Sequence, residues 1–239
     1  MQRSTLLDTD RMNTQYITFN PDGTPTGVGS TVDGTIFPGA LVCTAEQAQN
    51  WQAYTNVNGV LTENQGIILA NAQSAQISAL KQSWAQALAV VPVTINGTEY
   101  QIDNSPARQT ANINLAMSIQ TIMSQAPAWK ASTAVAAGSY CNLNGAYLYC
   151  STAGTTGSSA PTAPTTFGTP VTDGTAAWEL LGRHVWLENG TMQLFTPQQV
   201  LSGAMQIEAY IHKQTVKLDG LMEQVKAAAT VEEVQSVTW

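Results

Sequence analysis

Residues 129–181 leave this 239-residue chain the least freedom. The block opens at Trp129 and closes at Trp178, and between them Tyr140, Asn144-Gly145 and Tyr147-Leu148-Tyr149-Cys150 alternate around a turn dipeptide. Alternating apolar residues flanking Asn-Gly are a strong short-range hairpin signal, because both turn positions need a positive φ. Ser151–Thr175 then runs through Ala, Gly, Thr, Ser and Pro with almost nothing to build a periodic element. Lys130, Asp173 and Glu179 are the block's charged side chains, too few to assemble acid-base chemistry. Its aromatics are what it has for recognition. The block reads as a small β module that binds.

Two of the three cysteines, Cys141 and Cys150, flank this hairpin, and the third is Cys43. A two-residue turn at Asn144-Gly145 pairs 143 with 146, setting Cys141 opposite Leu148 and Cys150 opposite Ser139. The two sulfurs then share a face but lie on a diagonal, with Cα atoms about 7–8 Å apart. That separation is too long for a good disulfide, so buried free thiols are expected. An odd cysteine count without C-x-x-C also gives neither a disulfide framework nor a zinc site.

Outside the block, 13–62 reads as β-rich. A strand over Gln15–Asn20 precedes a Pro21-Asp22-Gly23 turn, and a second strand is expected over Ile36–Cys43. Thr44 caps a short helix over Ala45–Thr55, and Asn58-Gly59 turns the chain into Val60-Leu61-Thr62. Apolar residues spaced by three and four mark a helix over Asn64–Val90, which Pro92 stops. A hairpin over Val93–Ile102 turns at Asn96-Gly97, and Ser105-Pro106 caps a helix to about Gln125. After the block, His184–Phe195 is a hairpin turning at Asn189-Gly190, and Thr196-Pro197 opens a helix that continues toward Ala229. That helix carries Val200, Ala204, Ile207, Ile211, Leu218, Leu221 and Val225 in an a/d-like stripe, suited to an intermolecular coiled coil or to an internal pack. Thr230 caps a last short helix. The fold class expected is α+β, in three parts: a β-rich segment 1–62, a discontinuous helical domain 63–126 plus 183–239, and an inserted all-β module 127–182.

Charge and composition exclude several functions. Nine basic residues stand against 16 acidic ones, a net charge of −7, so a nucleic-acid partner is not expected. Met1–Asp8 lacks the apolar core of a signal peptide, and no stretch approaches the roughly 18 apolar residues of a spanning helix. The two histidines, His184 and His212, read as structural or solvated, and Cys43 as a buried strand-end thiol. The carboxylates do not cluster as a glycosidase pair would, and Ala153–Gly157 lacks the Lys of a phosphate loop. No enzyme activity, metal or cofactor is expected.

Three resemblances give these parts a context. The block's pattern W-x-A-x-T…Y…G-x-Y-x-Y-x-C-x-x-A-G-x-x-G…P…D-G-T-x-x-W, from Trp129 to Trp178, resembles carbohydrate-binding-like modules of bacteriophage tail and fibre proteins. Val135 stands where such modules often have Tyr. The N-terminal pattern Q-Y-I-T-F-N…P-G-A-L…W-Q…N-G-V-L resembles the first segment of tail-fibre-assembly-like proteins. Trp84, Thr94–Tyr100, Asp103…Arg108, Leu194-Phe195-Thr196 and the terminal run through Thr230-Val231-Glu232-Glu233 to Trp239 resemble an uncharacterised domain at the C-terminal end of phage tail proteins. The resemblance implies a virion protein of the tail, made in the host cytoplasm. It would be a fibre, tip or baseplate component, homotrimeric through the long C-terminal helix and in contact with other tail proteins, with host-surface polysaccharide as a further partner. A tail-fibre assembly chaperone that does not stay in the virion is the alternative.

Within the module, sugar rings pack C–H faces on flat aromatic side chains while amides bond their hydroxyls. That chemistry nominates Tyr147, Tyr149, Tyr140, Trp129 and Trp178, with Asn142 and Asn144 as polar neighbours. The same aromatics also read as the core that so small a module needs, with Trp129 and Trp178 sealing its ends, and the sequence leaves both readings open.

Overall fold

The computed structural model describes residues 13–239, and the reading of Met1–Asp8 lies outside them. The chain has a mixed α+β fold. The residues fall into two compact units, one running to Leu80 and including Leu221–Thr238, the other comprising Lys81–Gly220 with Trp239.

The first unit begins with a sheet of β1 (Thr14–Phe19), β2 (Pro25–Thr31) and β3 (Leu41–Cys43) in the order β2-β1-β3. The β1–β2 turn is held by the Asp22 carboxylate, which accepts from the Thr24 N–H at 2.9 Å and its hydroxyl at 2.6 Å. Strand β2 is hidden in the sequence because Gly27 and Gly29 weaken its pattern. The structure explains Gly29: the Tyr16 ring lies across it, and a Cβ there would sit 2.5 Å from Tyr16 Cζ. The strand expected over Ile36–Cys43 is shorter, because Phe37–Ala40 closes a turn through an Ala40 N–H to Phe37 carbonyl bond of 3.0 Å.

Thr44 and Gln47 form a full capping box on α1 (Ala45–Gln49). The helix expected to reach Thr55 ends there instead, followed by a 3-10 turn at Trp51–Ala53. Tyr54–Val57 becomes β4, paired with β5 (Val60–Glu63) around Asn58-Gly59, so a strong hairpin turn wins over helix extension. Ile17, Ala53 and Tyr54 form this unit's core, with Phe19, Leu61, Ile67 and Ile68 against it. The last two belong to α2 (Gln65–Ala89).

In the second unit, β6 (Val90–Ile95) follows α2 directly and pairs with β7 (Thr98–Asp103) around Asn96-Gly97. Pro92 therefore lies inside a strand, and α2 has already ended at Ala89. Helix α3 (Pro106–Gln125) has Ser105 at its N-cap, but the Ser105 side chain makes no capping bond. Asp103 holds the approach instead, accepting from the Ser105 N–H at 3.0 Å. The chain then forms the strands β8 (Ala134–Val135), β9 (Tyr140–Leu143), β10 (Ala146–Thr152), β11 (Gly154–Thr155), β12 (Val171–Asp173) and β13 (Ala176–Leu180). It returns as β14 (Arg183–Trp186) and β15 (Met192–Phe195), a hairpin bridged to β7 through Ile102 and Leu187.

Thr196 and Gln199 cap α4 (Pro197–Ala227) reciprocally, at 2.9 and 3.3 Å. Val91, Val93, Ile95, Ile102, Ile119, Phe195 and Val200 fill the core between the hairpins, α3 and α4, each contributing on the order of 1.5–3 kcal/mol. Of the α4 stripe, Val200, Leu218 and Val225 are buried and Ile207 packs on the core just described, while Ala204, Ile211 and Leu221 are half-buried. Met205, 71% exposed, and Val216 remain outside. In the first unit the Gln73 amide donates to the carbonyls of Lys226 at 3.3 Å and Ala228 at 3.2 Å, satisfying groups left open at the end of α4. Thr230 then caps α5 (Val231–Ser236), whose Val234 is buried. Among the described residues, no helix is long and apolar enough to cross a membrane.

Candidate functional site in the aromatic module

The module's main sheet has the order β12-β13-β10-β9, and β8 and β11 pair beside it. Its hairpin register follows the turn: Leu143 faces Ala146, Cys141 faces Leu148, and the Cys150 N–H bonds the Ser139 carbonyl at 2.9 Å. Cys141, Leu143, Leu148, Cys150 and Trp178 point to one side and make a core belonging to the module itself. Period-two alternation sends Tyr140, Asn142, Tyr147, Tyr149 and Glu179 to the other. Tyr140, Tyr149 and Glu179 form one cross-strand row.

The low-complexity run is ordered by one carboxylate. Asp173, 3% exposed, accepts at Oδ2 from the Trp129 indole N–H at 2.7 Å and the Trp178 indole N–H at 3.0 Å. Its Oδ1 accepts from the Gly157 N–H at 2.7 Å. Thr156, also buried, donates its hydroxyl to the Lys130 carbonyl at 2.7 Å and accepts from the Thr133 N–H at 2.8 Å. Gly174 allows this close packing at φ +64°, where a Cβ would come within 2.3 Å of the Thr155 carbonyl oxygen. Sequence reasoning gave no role to Asp173 and assigned no strand to 151–175. The signal available was the spacing Asp173-Gly174-Thr175…Trp178, a turn that hands an acid to the tryptophan five residues on.

The nominated residues separate into five environments. Trp178, 1% exposed, is core and offers no face to a ligand. Tyr147, 8% exposed, directs its hydroxyl toward the Met123 carbonyl at 3.4 Å and so ties the module to α3. Asn142 and Asn144 build the hairpin turn: the Asn142 side chain accepts from the Gly145 N–H at 2.7 Å, and Asn144 takes φ +52°. Tyr149, 37% exposed, and half-buried Tyr140 meet at 6.0 Å between ring centroids, tilted by 51°, while Arg183 reaches the Tyr140 hydroxyl at 3.5 Å.

Half-buried Trp129 belongs to a different surface from Tyr149. Together with Tyr140 it lines a groove between residues 127–136 and β9, with Cys141 and Trp178 behind it. The groove encloses about 690 Å³ including its open mouth. Lys130, Thr133, Ser139 and Thr156 are among its polar lining.

The ends of the block are fixed beside each other. The Trp129 N–H bonds the Asn142 carbonyl at 2.9 Å on β9, and the Leu181 N–H bonds the Tyr147 carbonyl at 3.0 Å on the neighbouring β10. Cys141 and Cys150 are free and buried. Burial, and then the charge of Asp173 and Cys150, pushes the Cys141 thiol up to about 12, and burial also raises Cys150. These thiols are packing groups in effect. His184 and His212 are exposed, and among the described residues no group of three His, Cys, Asp or Glu could hold a metal. Comparison with family models, with curated proteins and with solved structures found no match for this chain.

Proposed function

We propose that this chain is a structural component of a bacteriophage tail, in the fibre, tip or baseplate, whose aromatic module contributes to attachment at a host-surface glycan. The observation that carries the reading is the module itself. It has its own core, its two ends enter on adjacent strands, and it holds Tyr149 and Tyr140 outside that core. A unit joined in this way can be displayed without disturbing α3 and β14 on either side of it. The motif resemblances from Trp129 to Trp178 and through the C-terminal Thr230–Trp239 run support the same assignment.

Mass spectrometry of purified particles tests the structural role. Peptides of this chain at a stoichiometry matching other tail proteins are expected; their absence would favour an assembly chaperone that leaves before maturation. Attachment is tested separately, by replacing residues 127–181 with a short Gly/Ser linker. Particles carrying that chain should assemble but adsorb poorly to host cells.

A further inference from the structure

We propose that the sugar site of the module is the groove beside Trp129 and not the tyrosine face of the sheet, and that it takes a single neutral hexopyranose. The inference rests on the glycan-attachment reading and places it in one cavity.

Concavity is the first argument. Single-sugar contacts need enclosure, because a flat surface removes little of a small polar ligand from water. Tyr149 lies on the open side of a sheet with the Tyr140 ring beside it, whereas Trp129 lines a groove of a size that suits a small ligand.

Preorganisation is the second. The Trp129 indole is fixed by its N–H bond to Asp173, and Asp173 is in turn held by Trp178 and Gly157. The Thr133 backbone is pinned by the Thr156 hydroxyl. An aromatic wall that does not move on binding loses little side-chain freedom when a sugar ring packs on it.

The polar lining supplies the third. The Thr133 hydroxyl already donates to the Ala131 carbonyl at 3.0 Å and the Ser139 hydroxyl donates to the Ala136 carbonyl. Both therefore face a ligand as acceptors for sugar O–H donors. Lys130, exposed and in no salt bridge among the described residues, supplies the complementary N–H donors. A sugar carboxylate, itself only an acceptor, would find no donor in the Thr133 and Ser139 hydroxyls, and the buried Asp173 carboxylate lies behind Trp129, outside the lining, which together favour a neutral ring.

The test uses the full chain labelled with ¹⁵N, titrated by NMR with the methyl glycosides of glucose, galactose, N-acetylglucosamine and glucuronic acid. Each is taken to about 50 mM, above the roughly millimolar Kd of one small, exposed ligand. Saturable shifts of the Trp129 indole N–H and of the Thr133 and Tyr140 amides are expected with at least one neutral sugar. They should persist in Tyr149→Ala and weaken about three- to tenfold in Lys130→Ala, the loss of one hydrogen bond. Shifts confined to Tyr149 and Glu179 would overturn the groove and leave the attachment reading standing. A preference for the glucuronoside would overturn the neutral class, and no saturable shift with any of the four would overturn the site. Adsorption of particles lacking 127–181 decides the attachment reading on its own: undiminished adsorption would remove it whatever the titration shows.

Discussion

Asp173→Asn is the sharpest perturbation the module offers. The carboxylate accepts three N–H bonds and donates none, two at Oδ2 and one at Oδ1. An amide of the same shape has one acceptor oxygen, and its NH₂ must face an N–H donor whichever way it turns. One orientation loses Gly157, the other loses both indoles. Hydrogen bonds to a charged group contribute about 1.5–3 kcal/mol, and a buried donor left unpaired costs about 1–3 kcal/mol. The substitution should therefore destabilise the module by about 2–4 kcal/mol, and Asp173→Ala by somewhat more. A block of this size has about 3–8 kcal/mol in total, from the 0.05–0.15 kcal/mol per residue of ordinary domains. Chemical denaturation followed by tryptophan fluorescence should show an early transition in the variant, while the far-ultraviolet helical signal keeps its parent midpoint. Both indole N–H resonances should move in NMR. An unfolding midpoint for Asp173→Asn within about 0.5 kcal/mol of the parent, the range of neutral surface changes, would refute the idea that this carboxylate organises the loop.

Tyr147→Ala removes a ring that is nearly buried between the sheet and α3, so about 3–5 kcal/mol of stability should be lost. Fluorescence-monitored unfolding checks this, and a folded variant with parent stability would return Tyr147 to the list of ligand contacts. Cys141, with its thiol near 12, has about one part in 10⁴ as thiolate at pH 8. Iodoacetamide should leave it unmodified until the chain is unfolded, when mass spectrometry should find all three cysteines alkylated without prior reduction. Hydrogen bonds from the Ser105 side chain and backbone, with a smaller contribution from Arg108, hold the Asp103 carboxyl below its usual range. A carboxyl lowered in the fold stabilises above its unfolded value of about 3.9, and that stability is lost as pH falls through the folded value. Thermal unfolding below about pH 4 should thus show a steeper loss in the parent than in Asp103→Asn.

What the sequence disclosed, and what it hid, follows from the range of the interactions involved. Hairpins at Asn58-Gly59, Asn96-Gly97, Asn144-Gly145 and Asn189-Gly190 were legible because a turn fixes its own register within four residues. The caps at Thr44, Thr196 and Thr230 are equally local and formed as expected. Strand β2 was not legible, because Gly27 and Gly29 weaken its pattern and Gly29 answers to the Tyr16 ring on a neighbouring strand. Helix α1 stopped early for the same kind of reason: Tyr54 and Thr55 were claimed by a partner strand.

The candidate site divides along the same line. Alternation placed Tyr147 and Tyr149 on one face of the sheet, and that is where they are, but periodicity carries no information about what covers a face. Met123 and its helix cover Tyr147, while Tyr149 stays open beside Tyr140. The two tryptophans that bracket the block share the same acid, although they lie 49 positions apart in the chain. One acceptor, Asp173, lies 44 residues from Trp129 and five from Trp178, and it leaves one indole in the core and the other half-exposed at a groove. A carboxylate that bonds two indoles does more for the site than any tyrosine on the sheet. It makes a sequence of Ala, Gly, Thr and Ser hold a fixed aromatic wall, and a fixed wall is the part of the proposed sugar site that the low-complexity segment could not supply alone.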